Sequence, residues 1–182
     1  MSYFSTEIIA SKPFEFKYKL QIKLTELGIK YGKILDYVIL DIYDDVDDLY
    51  DSMNSHTPAK ERKATFCGYV DSRDYHIIHI ISQDTFIKTF TEMYHLDNLQ
   101  EMYWMTILHE CVHSLTFNLN PNIISEADIR LVEGMAVYES GQLDYMRKYN
   151  AVKGVYYNYG VFFERYVQNN NYARLIAFFK SL

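Results

Sequence analysis

His109-Glu110-Cys111-Val112-His113, inside the run from Gln100 to Asn118, is the stretch that decides how the rest of this chain is read. In a helix, residues four apart lie one above the other on the same face, so His109 and His113 can aim two imidazoles at one ion. Glu110 is turned by about 100° from His109, which lets its carboxylate reach a water on that ion without ligating it. Met102, Met105, Ile107, Leu108, Val112 and Leu115 wrap much of the circumference and predict a buried helix. Two His and a Glu are costly in such a place without partners, which favours an ion over a pair of satisfied core histidines.

A zinc centre that performs chemistry takes three protein ligands and keeps one position open. The segment Leu131-Val132-Glu133-Gly134-Met135-Ala136-Val137-Tyr138-Glu139 supplies a third candidate, Glu133. Alone it would read as a solvated helix residue, because Glu is rarely buried unpaired. Following a two-His helix, it becomes the expected ligand. Gly134 and Ala136 beside it are small enough to let this helix approach another closely.

The pair HECVH and EGMAVYES resembles the gluzincin metallopeptidases, whose third zinc ligand is a Glu in an E-G-x-A type segment, as in aminopeptidase-N-like and collagenase-like catalytic domains. The resemblance is sharp over those two segments and loose over the remainder. It implies Zn2+ held by His109, His113 and Glu133, with Glu110 as general base in peptide-bond hydrolysis. It also implies a sheet strand above the active helix that pairs with extended substrate, and an oxyanion donor from the segment after the Glu helix. Tyr157 is the first candidate for that donor, with Tyr156 and Tyr159 close behind; the competing reading is a core Tyr at helical spacing. One departure is visible. Thermolysin-type members place an Asp four residues after the ligand Glu to orient the first His, and Val137 stands there, so the partner of His109 is left open.

The 182 residues suit one domain, with a sheet-containing part over 1–96 and the active, Glu and C-terminal helices over 97–182. Hydrophobic residues make up 49% and charged ones 23%, a globular profile. A net charge of −6 with dispersed acidic residues argues against nucleic acid or an anionic membrane as partner, and the resemblance implies a peptide or protein substrate. No leader and no bilayer-length apolar run is visible, which predicts a cytoplasmic protein, a processed secreted form being the alternative. Two Cys, Cys67 and Cys111, are too few for a disulfide framework.

Along the chain, 14–31 reads as an amphipathic helix closed at Gly28 to Gly32, and 35–43 as a strand. The acidic run Asp44 to Asp51 lacks the EF-hand ligand order and reads as the start of a solvated helix, followed by a loop over 52–63. Segments 64–70 and 75–81 form a hairpin about Asp71 to Asp74, and 82–94 a helix. His76 and His79, three apart on a strand, face opposite sides and read as surface or cleft-lining, while His56 and His95 have no partner by spacing. Asp97 with Gln100, and Ser125 with Asp128, read as capping boxes. The segment 151–182 reads as two helices broken by a turn at 169–171. The expected fold is α+β and zincin-like: a small mixed sheet over the active helix, above a mainly helical half. A regulatory or non-catalytic domain that binds or cuts a single partner is the alternative; an intact Glu110 argues against it, since a purely structural site has no need of a base.

Overall fold

The computed structural model describes residues 5–53, 63, 66–94, 98–123, 128–149, 154–169 and 172–181. His56, His95, Asp97, Ser125, most of the 52–63 loop and positions 170–171 lie outside them. The elements run β1 (Glu7–Ala10), α1 (Lys17–Tyr31), β2 (Tyr37–Tyr43), α2 (Val46–Ser52), β3 (Gly68–Val70), β4 (Ile77–Ile81), α3 (Gln83–Tyr94), α4 (Leu99–Leu119), α5 (Ile129–Glu139), α6 (Gln142–Lys148), α7 (Val155–Asn169) and α8 (Tyr172–Ser181). The protein is therefore mixed α and β and mostly helical. Among the described residues, no helix is long and apolar enough to cross a membrane.

The four strands form one sheet in the order β1-β2-β4-β3, with β1, β2 and β4 parallel and β3 antiparallel to β4. Strand alternation sorts the side chains into two faces. Ile8, Val38, Leu40, Ile42, Ile78 and Ile80 occupy the buried face that packs with α1 and α4. Asp41, His79 and Tyr69 form a cross-strand row on the other face. The expected hairpin is present, and Gly68 of β3 stands opposite Ile80, on the face toward α4. β1 and α6 are additional to the expected elements.

Of the two readings of His79, surface or cleft-lining, its burial corrects the first. The Tyr69 ring stacks on it at 4.6 Å, Tyr43 Oη lies 3.0 Å from its Nδ1, and Asp71 Oδ2 lies 3.3 Å from its Nε2. His76 stacks on Tyr37 at 4.6 Å. In the hairpin turn, Asp71 accepts from Arg73 through backbone N at 2.8 Å and Nε at 2.9 Å. The Arg73 guanidinium holds the Asp71 carboxyl well below the usual carboxylate range against the opposing effect of burial, and His79 adds to this. Folded protein then binds that proton less readily than the unfolded chain, so the stabilisation is present above roughly pH 4 and lost as pH falls further. Asp71→Asn is expected to destabilise by about 1 kcal/mol at pH 7 and by distinctly less near pH 2 in urea titrations. An equal loss at both pH values would assign the effect to packing.

Several helix ends follow local chemistry. α1 closes on Gly32 at φ 71°, as its Gly-rich end predicts. Asp45 caps α2 by accepting from Asp47 N, so the acidic run does open a helix. Asp128 occupies the N-cap of α5 and accepts from Arg130 N. Asn98 holds the N-cap of α4 at φ 60°, and Gln100 donates to Glu15 Oε1 at 2.6 Å. Glu139, buried at the end of α5, accepts from Tyr31 Oη at 2.6 Å and Lys30 Nζ at 2.8 Å. That carboxylate pins α1 to α5.

Candidate metal centre

α4 is buried along much of its length, and His109 and His113 project from it on one face. Their Nε2 atoms lie 3.0 Å apart, and Glu133 Oε2 from α5 lies 3.5 Å from each. Bonds of about 2.0–2.1 Å at tetrahedral angles separate ligand atoms by roughly 3.3 Å, so this triangle has the edge lengths of a zinc site. Its polar atoms are otherwise poorly satisfied. Glu133 Oε2 is buried without a hydrogen-bond partner, and two facing Nε2 atoms can share at most one proton. A cation at their centre would satisfy all three, so the residues fit the metal that the motif implies. Among the described residues, this is the group of His, Cys, Asp and Glu side chains that could hold one.

Burial alone would push the Glu133 carboxyl up, but the His109 and His113 imidazoles outweigh it and hold the group well below the usual range. It therefore stays a carboxylate, the form that ligates. Glu110, one residue on from His109, stands outside the triangle and beneath β3. A Cβ on Gly68 would lie 3.5 Å from Glu110 Cγ and only 2.7 Å from the His79 carbonyl oxygen, so glycine there permits the close approach of strand and helix. Burial pushes the Glu110 carboxyl up to about 7, with His109 pulling it down and Glu133 adding to the rise. Cys67 and Cys111 flank it and are not joined in a disulfide; burial and the Glu110 charge push Cys67 up to about 12 and Cys111 well above its ordinary value. Both are unreactive thiols at neutral pH.

The two imidazoles are held differently. His109 Nδ1 lies 2.9 Å from Gln142 Oε1, at the start of α6. This is the partner of His109 that the sequence left open. The His113 ring instead stacks on Phe117 at 5.6 Å and 8°. Its Nδ1 is buried without a hydrogen-bond partner.

α7 reaches the site through its contact with α5. A Cβ on Gly134 would meet the Tyr159 carbonyl oxygen at 2.4 Å, and one on Gly160 would meet Val137 Cγ1 at 2.7 Å, so two glycines form reciprocal notches. The expected close approach at Gly134 is thus made to α7. It brings the half-exposed Tyr156 ring to 6.2 Å from His109. Burial, then the Glu133 and Glu110 charges, raise the Tyr156 phenol, which therefore remains an O–H donor at neutral pH. Tyr157, the first candidate, is bonded to Arg147, which also holds Glu164 at 2.6 Å. Tyr159 packs against Tyr156 at 6.3 Å. The structure brings together His109, His113, Glu133, Glu110 and Tyr156, and engages Tyr157 elsewhere.

The chain finds no match among protein-family models, curated proteins or solved structures.

Proposed function

We propose that this chain is a zinc-dependent peptidase of gluzincin type. The observation that carries the reading is the convergence of His109 Nε2, His113 Nε2 and the hydrogen-bond-orphaned Glu133 Oε2, with Glu110 beside them. The small mixed sheet over α4, and the mainly helical second half, support a zincin-like fold. Zinc at this site supplies a positive charge that acidifies a water and polarises a peptide carbonyl. Glu110 takes the proton from the attacking water and delivers it to the leaving amine. Tyr156, placed against His109, is the residue that donates to the oxyanion, in place of Tyr157. β3 is a sheet edge beside Glu110, and among the described residues no strand pairs with its outer side. An extended peptide would add there through its main chain.

Elemental analysis tests the ligand set directly. Wild type is expected to hold about one zinc per chain and Glu133→Ala to lose most of it, since one of three ligands is gone. Cleavage of a mixed peptide library by wild type, absent in Glu133→Ala, completes the test. A folded wild-type protein that takes up no metal on reconstitution ends the proposal.

A further inference from the structure

We infer that Gln142 is a positioning residue that sets the tautomer of His109 and with it the affinity of the site for metal. The inference rests on the metal-centre reading of the same site and adds a residue that the motif does not contain. An amide oxygen 2.9 Å from His109 Nδ1 accepts a hydrogen bond only if that nitrogen carries the proton. The other ring nitrogen, Nε2, is then bare, and it is the one facing His113 Nε2 and Glu133 Oε2. His109 is thereby held in the form that ligates before any ion arrives.

The placement of Gln142 follows from the backbone. α5 ends after Glu139, Gly141 turns the chain in the left-handed region at φ 86°, and α6 begins at Gln142. A Cβ on Gly141 would stand 3.8 Å from Met105 Sδ of α4, so the turn is seated against the helix that carries both histidines. The one segment that supplies the ligand Glu133 therefore also supplies the group that orients His109. His113 receives no such help from the described residues, because its Nδ1 has no hydrogen-bond partner and its ring is held by stacking on Phe117. The pair is asymmetric. Gln142 carries the only hydrogen bond that the described residues make to the Nδ1 of either ligand imidazole.

The carboxamide is neutral, unlike the carboxylates that often accept from metal-bound histidines. A carboxylate at this place would retain the same tautomer and add negative charge near the ion, so Gln142→Glu should bind metal at least as tightly as wild type. Gln142→Leu keeps the approximate size and removes the acceptor. Two measurements, neither depending on hydrolysis, test the inference. The first is nitrogen-15 NMR of the imidazoles in metal-free protein at pH 8. His109 in wild type and Gln142→Glu should show the proton on Nδ1, and Gln142→Leu should shift it toward Nε2. The second is zinc affinity by competition with a chromophoric chelator. Gln142→Leu should bind roughly 10–100-fold more weakly than wild type, and Gln142→Glu should equal or exceed wild type.

An unchanged His109 tautomer in Gln142→Leu overturns the inference, as does unchanged zinc affinity in that variant. Weaker binding by Gln142→Glu as well as by Gln142→Leu also overturns it, since then the side chain acts through packing. The peptidase reading fails separately, in a wild type that binds zinc with the expected order of affinities and cleaves nothing.

Discussion

Glu110→Gln is expected to lower peptide hydrolysis by roughly 10²–10⁴-fold while zinc content stays at the wild-type level. Gln matches Glu in size, stands outside the ligand triangle and cannot accept the proton of the attacking water. The same substitution should make the metal-free protein more stable at pH 8. Burial raises the folded carboxyl to about 7 from an ordinary value near 4.3, so the folded protein binds this proton more tightly than the unfolded chain. The cost of ionising Glu110 develops as pH rises above roughly 4 and is complete above about 7. An uncharged amide escapes it. Urea titrations of the metal-free forms should give Gln an advantage of about 2 kcal/mol at pH 8 and almost none at pH 4. Lost cleavage together with gained stability marks a group kept for chemistry at the expense of folding. A variant that cleaves as wild type does would remove Glu110 from the mechanism, and one without a stability gain at pH 8 would remove its buried charge.

The second large effect lies in the scaffold. Gly134→Ala would place a methyl 2.4 Å from the Tyr159 carbonyl oxygen and 2.8 Å from Phe163 Cβ. Main-chain atoms in the middle of α7 cannot rotate aside as a surface side chain can, so the helix itself must move. A loss of about 3 kcal/mol is expected, the upper part of the usual range for overpacking. For a chain of this size that is roughly 6–12 °C in melting temperature. Gly154→Ala is the control, since a Cβ there meets nothing within 4 Å. If Gly134→Ala melts with the control, the two helices do not approach as closely as these distances state. Displacing α7 also moves Tyr156, so Gly134→Ala should impair hydrolysis without touching a ligand.

The part of the site that could be read in advance is the part carried by helical spacing. His109 and His113 share a face by a four-residue interval, and Glu133 gains meaning from its distance to them; the structure brings the three together. Small size located Gly134 as a point of close approach. Tyr156 and Tyr157 show where this reasoning stops, because neighbours on a helix point about 100° apart and a helix start misplaced by one residue exchanges their roles. α6 escaped notice because it has seven residues, of which only Leu143 and Tyr145 are buried, too few for a periodic signal. Its cues were local: a turn glycine at Gly141, Asp144 in the first turn, and Arg147 and Lys148 in the last. Gln142 was missed with it. β1 has four residues with Ile8 as its one fully buried side chain, and it exists because β2 provides a partner of matching register. His79 was misjudged because strand alternation gives its direction but not what covers that face, here the rings of Tyr69 and Tyr43.

The bond between Tyr31 and Glu139 joins residues 108 positions apart. Closing so long a loop carries an entropic cost that short-range contacts avoid. During synthesis, Lys30 and Tyr31 are made well before their carboxylate. The first helix is therefore made before the carboxylate that holds its phenol and ammonium, and the bond to α5 follows only once the segment that carries Glu133 has been made.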